Sequence, residues 1–334
     1  MIIRTYSYPR AALIGNPSDG YFGKTIAFLF RNFQAEVVLY ESPELEIIPQ
    51  ERDRSVFHSV RGLYEDVKLY GYYGGIRLLK AAIKRFYEYC RDEGHSLHNR
   101  NFTIRYQSSI PNRLGLAGSS AIITACFRAL MQFYAIVIPS EILANLVLSV
   151  ETKELGLGAG LQDRVAQAYE CPVFMDFDRE IMEKQGFGHY ETFSSERLPS
   201  LYIAYRTDLS EGSEVLHNNL QARFKRGEAG VINAMEQFAE LTTACREMLE
   251  AGRGTEIGPL MDQNFDLRRS ITQISQANLR MVELARSVGA SAKFTGSGGA
   301  IIGTYQDEVM YQDLKALLKS ENIAILKPQI ASAS

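Results

Sequence analysis

The sequence has no tryptophan and only four cysteines, Cys90, Cys126, Cys171 and Cys245, which are widely separated and form no C-x-x-C pair. That spacing excludes a disulfide-stapled scaffold and a cysteine-ligated zinc site, and Cys90 and Cys126 fall in helical apolar patterns, as buried reduced thiols do. The five histidines (His58, His95, His98, His189 and His217) form no HExxH. His95 and His98 lie in a loop with no third ligand near them, so no metal centre follows from histidine. No G-x-S-x-G elbow supports a hydrolase triad. No run approaches the 18 apolar residues of a membrane span, and MIIRTYSYPR lacks the apolar region and cleavage site of a secretory signal. An excess of charge is missing too. Lys and Arg number 36 against 39 Asp and Glu, a net charge of −3, which gives no footprint for nucleic acid or an anionic membrane. The expectation is a cytoplasmic protein acting on small molecules, as a monomer or homodimer, whose 334 residues at 46% hydrophobic suffice for two cores.

Periodicity separates strands from helices. RAALIG, TIAFLF, AEVVLY and LEIIP read as strands broken by NPSDGYFG and ESPE. From 74 to 93, Ile76, Leu79, Ile83, Phe86 and Cys90 recur at helical steps and make one apolar stripe. Phe102, Ile104 and Tyr106 alternate toward Pro111. Helices are predicted from Ser119 to Ala135 and from Ser140, as N-cap, to Leu155. Strands follow at PVFMDF and SLYIAY, then a mostly helical stretch at 210–290. KFTGSGGAIIGTY reads as strand, glycine turn and strand, with a helix at 308–320 and a closing strand at 322–328. Strands and helices mixed without strict βαβ alternation predict an α+β fold in two lobes. The boundary is expected between 175 and 200, with the functional site between the lobes.

Three segments concentrate glycine beside small polar residues. Gly115-Leu116-Ala117-Gly118-Ser119-Ser120-Ala121 separates a strand from a strongly helical run. A helix N-terminus offers free amides and a positive dipole end, glycine admits phosphate oxygens to the backbone, and a serine hydroxyl reaches a phosphate or its Mg²⁺. The same residues serve as well as a glycine turn with a serine N-cap. Gly20-Tyr21-Phe22-Gly23-Lys24-Thr25 ends like a Walker A loop, but Ser18 occupies the position of that loop's first glycine. Gly156-Leu157-Gly158-Ala159-Gly160 has the wrong spacing for a dinucleotide fingerprint and follows a predicted helix, which argues against a nicotinamide-dependent oxidoreductase.

Pro9-Arg10 through Gly15-Asn16-Pro17-Ser18-Asp19, Pro111 through Gly115-Leu116-Ala117-Gly118-Ser119-Ser120-Ala121, and Lys293 through Gly296-Ser297-Gly298-Gly299-Ala300 resemble, in this order, the three signatures of the GHMP kinase superfamily. Within it the resemblance is to the glucuronokinases, through NPSDGYFGKTI, GYYGGIRLLKA, GSSAI, GLQDRVAQ, NFDLRRS and KFTGSGGA. Asn16-Pro17 stands where galactokinases and mevalonate kinases carry Glu-His, a departure that fits the glucuronokinase type. Ala117-Gly118 stands where many members have a single small residue before the serines, which leaves open which serine faces Mg²⁺.

The resemblance implies a two-lobed GHMP kinase fold, with a ribosomal-protein-S5-like lobe over 1–185 and a ferredoxin-like lobe over 186–334. It implies ATP-dependent phosphorylation of the anomeric hydroxyl of D-glucuronate. The nucleotide phosphates would lie over Pro111, Gly115, Leu116, Ala117, Gly118, Ser119, Ser120 and Ala121, beside Gly296, Ser297 and Gly298. Ser120 and Glu151 would hold Mg²⁺, Asp163 would be the base, and Arg10 would stand beside the attacking hydroxyl. Asn16, Asp19, Arg164 and Gly298 would surround the sugar. A uronate carboxylate is best matched by a planar arginine fork, for which Arg164, Arg77 and Arg113 are candidates alongside the hydroxyls of Tyr72 and Tyr73. Arg268-Arg269 reads equally well as a surface helix pair. Two other readings are another sugar 1-kinase of the superfamily (for galacturonate, arabinose, galactose or a heptose phosphate) and a catalytically silent nucleotide- and sugar-binding sensor. The presence of Asp163, Glu151 and Arg10 together speaks against the sensor.

Overall fold

A computed structural model describes residues 1–50, 74–206 and 220–331; His58, Tyr72, Tyr73 and His217 lie outside them. The described residues form three four-stranded sheets. The first is ordered β1 (Ile2–Ser7), β4 (Ala35–Ser42), β6 (Asn101–Ser108) and β5 (Glu46–Ile47). Helices α1 (Gly75–Asp92) and α2 (Gly118–Tyr134) pack together, and α2 lies against β1 and β4. The second sheet is β2 (Arg10–Ile14), β3 (Lys24–Leu29), β7 (Val173–Asp176) and β8 (His189–Thr192), all antiparallel. Helices α3 (Ser140–Ser149) and α4 (Gln162–Tyr169) pack on each other, α4 also lies against this sheet, and the short α5 (Arg179–Gln185) joins β7 to β8.

The third sheet begins with β9 (Leu201–Arg206) and continues beyond the helices α6 (Ala229–Glu250), α7 (Gly258–Ile271) and α8 (Gln276–Ser287). It is completed by β10 (Lys293–Phe294), β11 (Ala300–Thr304), α9 (Glu308–Ser320) and β12 (Ile323–Leu326). Its antiparallel order, β10-β11-β9-β12, is the ferredoxin-like arrangement in which the first strand lies between the third and the last. The α+β, two-lobed architecture is therefore present.

Three details differ from the sequence reading. The strand β1 goes unmarked because its inward residues are Ile3, Thr5 and Ser7, of which two are polar. Strand β8 extends the second sheet, so the third sheet begins only at Leu201. It escapes notice because His189–Thr192 is an edge strand with no buried residue. Ser140 is the first residue of α3 and caps nothing; Pro139 is the N-cap. One apolar core runs from Ile3 and Phe86 through Phe127 to Met261 and Ile302, binding both lobes together, and a second fills the space around Tyr202, Phe265, Phe294 and Leu314. The end of the chain returns to the first lobe, where Ile330 bridges to Phe30 and the Ala331 amide donates to Leu29 O at 2.9 Å. No helix among the described residues is long and apolar enough to cross a membrane.

Candidate active site

Two glycine loops meet backbone to backbone. Ala117 is left-handed (φ 62°), and this turn directs the chain into α2 with no side chain capping its first amides. Those amides and the helix dipole make this end of α2 favourable to an anion. Gly115 is itself left-handed (φ 64°), and a β-carbon there would stand 2.8 Å from the Ser297 amide. A β-carbon on Gly296 would overlap Gly115 O. Glycine at both positions is what allows the Pro111–Ala121 loop to pack on the Gly296–Gly298 loop. Leu116 and Ala121 are buried in the core, so they shape the loop through their backbone.

Arg10, at the start of β2, ties the two loops to a carboxylate. Its amide donates to Leu116 O at 3.2 Å, Nη1 donates to Thr295 O, and Nη2 donates to Asp163 Oδ1. Arg164 Nη1 lies 3.1 Å from Asp163 Oδ2, so two guanidinium groups grip this carboxylate from either side. Asp163 is the second residue of α4, whose N-cap is Leu161, so it does not cap the helix and its oxygens are held by side chains.

The helical run beginning at α3 widens into a π turn at Val150–Glu154, and Glu151 sits in that turn, 2% exposed. Ser119 Oγ donates to Glu151 Oε1 at 2.6 Å, while Arg164 donates to Glu151 Oε2 from Nε (2.9 Å) and Nη2. Ser120 is buried and turns its hydroxyl to Ala117 O at 3.1 Å, so the serine on Glu151 is Ser119. Consecutive helical residues point about 100° apart, so only one of the pair can face this carboxylate. The Ser119 hydroxyl and the Glu151 carboxylate suit a hard cation of the kind that takes one or two protein oxygens and completes its shell with phosphates and water. Arg164, expected beside the sugar, is 4% exposed and occupied by Glu151, Asp163 and Gly160 O (2.8 Å).

Asp19 lies in a tight turn, Ser18–Tyr21, and accepts from the Gln162 amide at 3.4 Å; a β-carbon on Gly160 would overlap its Oδ2. Burial, then the neighbouring Asp163 charge, push its pKa up to about 6, against the opposing pull of Arg10 and Arg164. An unfolded aspartate titrates near 3.9. The folded protein therefore binds the proton more tightly, and the associated stability is complete below about pH 4 and lost as pH rises through about 6. Asp19→Asn is expected to melt roughly 2–5 °C above the parent at pH 7.5. The gap should vanish below pH 4 in scanning calorimetry, and a gap independent of pH would contradict the assignment.

Asn16 follows a glycine with φ 91° and directs Nδ2 to Phe294 O (3.4 Å) and Gly296 O (3.3 Å). Its Oδ1, together with Arg10 Nε and Gln162 Oε1, is buried without a hydrogen-bond partner. Arg10 bonds to Asp163 and Gln162 precedes it in the chain, so two of these three atoms belong to residues next to that carboxylate. Arg77 and Arg113 are exposed. Arg268 and Arg269 are not a surface pair: Arg269 is exposed, but Arg268 is buried and clamps the Gly296 and Ser297 carbonyls. The spacing of Met261, Phe265 and Arg268 on α7 was the available signal, since these positions share one helical face. Asn264 was missed as well; it links Gly15 N (2.7 Å) to Asn16 O (3.2 Å). Lys293 is fully buried, donating to Ala12 O (2.7 Å) and Phe294 O (2.8 Å). Burial and the Arg268 and Arg10 charges hold its pKa well below the usual lysine range.

Residues 77–171 match the GHMP kinases N terminal domain. The chain is 43% identical to probable glucuronokinase 2 of Arabidopsis thaliana, covering 89% of this chain and 82% of that protein. It is 41% identical to glucuronokinase 1 of the same plant, over 89% and 83%. Among solved structures, Streptococcus pneumoniae phosphomevalonate kinase superposes with a TM-score of 0.76 at 16% identity, covering 98% of this chain and 99% of that one. Lactococcus lactis galactokinase gives 0.74 at 14%, covering 99% and 94%. Fold, ordered glycine loops and identity over most of both chains agree: the chain belongs to the glucuronokinases of the GHMP kinase superfamily.

Proposed function

We propose that this protein transfers the γ-phosphoryl group of ATP to the anomeric hydroxyl of D-glucuronate, giving glucuronate 1-phosphate and ADP. The observation that carries this reading is the convergence of Arg10 and Arg164 on Asp163, beside two backbone-packed glycine loops, in a chain so similar to two plant glucuronokinases.

Asp163 accepts the anomeric proton as the sugar oxygen bonds to the γ-phosphorus, and the bond from that phosphorus to the β–γ bridging oxygen breaks, its electrons leaving with ADP. Two guanidinium contacts fix Asp163, which supplies the positioning that a phosphoryl transfer chiefly needs. Arg10 also offers positive charge where negative charge develops on the attacking oxygen. The α2 N-terminus receives phosphate oxygens, and the loop at Gly296–Gly298 closes their other side. Ser119 and Glu151 would hold Mg²⁺, which neutralises phosphate charge when bound with ATP. Asp19 and Asn16 take sugar hydroxyls.

The test is coupled ADP release with Mg-ATP against D-glucuronate, D-galacturonate, D-galactose, L-arabinose and mevalonate. Turnover confined to glucuronate is expected. Preference for a neutral sugar would keep the kinase and discard the sugar-acid assignment.

A further inference from the structure

Arg268 carries a charge that no carboxylate pairs within ion-pair distance among the described residues. It lies on the inner face of α7, 5% exposed, and donates through Nη1 to Gly296 O (2.6 Å) and through Nη2 to Ser297 O (2.9 Å). Its guanidinium carbon is 5.1 Å from the centre of the Phe294 ring. Carbonyls and a ring engage its hydrogens and face without neutralising it. Described residues engage two of its five N–H donors, one on each Nη, so the guanidinium keeps donors for a carboxylate. Arg10 and Arg164 differ in this respect, since each already holds a carboxylate.

Position selects the anion. Arg268 acts electrostatically on Asp19 and Tyr21, in the turn beside Asp163, and shares Gly296 O with Asn16. Asn16 is uncharged and its Oδ1 has no partner. The Ser119–Glu151 pair, where a phosphate-bound cation would sit, is held by a different arginine, Arg164. Burial draws the pKa of Arg268 down to about 10, so it remains a cation at neutral pH.

Resting on the reading of the substrate as a uronate, we propose that Arg268 is the specificity residue that receives the sugar's carboxylate. The neutral Asn16 and the two loop carbonyls leave the guanidinium with no carboxylate in contact, Asp19 acting on it only through space, so a substrate carboxylate can complete its pairing. The loop at Gly296 and Ser297 is thereby tied to the presence of a sugar acid, because one side chain holds both.

The test compares the parent, Arg268→Gln and Arg268→Lys on D-glucuronate, its neutral amide D-glucuronamide, and Mg-ATP. Removing a charged hydrogen bond is expected to raise the glucuronate KM about 10–100-fold, well beyond any rise in the KM for Mg-ATP. Discrimination between glucuronate and its amide should disappear in Arg268→Gln and survive in part in Arg268→Lys. A raised ATP KM with discrimination intact would reduce Arg268 to a brace for the glycine loop and overturn the proposal. A parent that does not discriminate acid from amide would overturn the sugar-acid reading along with it. Should the variants not fold, a crystal structure of the parent with glucuronate decides: a carboxylate within hydrogen-bond distance of Arg268 supports the assignment, and one seated on another cation removes it.

Discussion

Asp163→Asn is expected to lower kcat by about 10²–10⁴-fold, the range that a positioned general base supplies. At about 1.4 kcal/mol per factor of ten, that is roughly 3–5 kcal/mol of barrier. The amide keeps the shape of the side chain and an oxygen for Arg10 Nη2, while it cannot take the anomeric proton. ATP affinity should hold, because the amides of α2 and the two glycine loops are untouched. Steady-state kinetics with equilibrium nucleotide titration separates the two effects. Unaltered turnover would remove Asp163 as base and leave the barrier to be lowered by positioning and phosphate neutralisation alone.

The second large effect is on folding. Glu151→Ala strips from Arg164, a residue 4% exposed, the oxygen that accepts from both Nε and Nη2, and deprives the Ser119 hydroxyl of its acceptor. Breaking a buried pair from one side costs about 3–5 kcal/mol, and the remaining contacts of Arg164 with Asp163 and Gly160 O place the loss toward the lower end. Urea unfolding should show it as a fall in midpoint at constant slope. Turnover should fall as well, since Arg164 keeps Asp163 but loses the contact that fixes its own position, and the carboxylate proposed for Mg²⁺ is gone. A variant within 1 kcal/mol of the parent and fully active would mean that the pair contributes neither stability nor alignment.

Much of this architecture is legible in the residues. The stripe on α1 and the apolar run of α2 set helices within a residue or two of their observed ends, and the strand–glycine turn–strand at 293–304 is where the pattern puts it. Asp163, Arg10 and Glu151, named from motif position, do lie in one connected cluster. What the pattern conceals is phase. Only Gln132 of α2 is fully exposed, so no polar face reveals which serine turns outward, and Ser119 rather than Ser120 meets Glu151. The partner of a buried arginine is a long-range fact: Arg164 meets a carboxylate 13 residues earlier, and Arg268 meets a loop 28 residues on. Periodicity over a dozen residues carries no information at those separations.

The shared interior of the two lobes bears on how substrate enters and product leaves. Side chains from the first sheet, from α6 and α7 and from the third sheet interlock in one apolar mass, and the final residues are stitched back to β3. Parting the lobes along that seam would expose a close-packed interior to water, so rigid-body opening in the manner of a clamshell is not a low-energy motion here. Asp163, its side chain 20% exposed, can then be reached without the lobes parting, and turnover can proceed while the frame itself stands still.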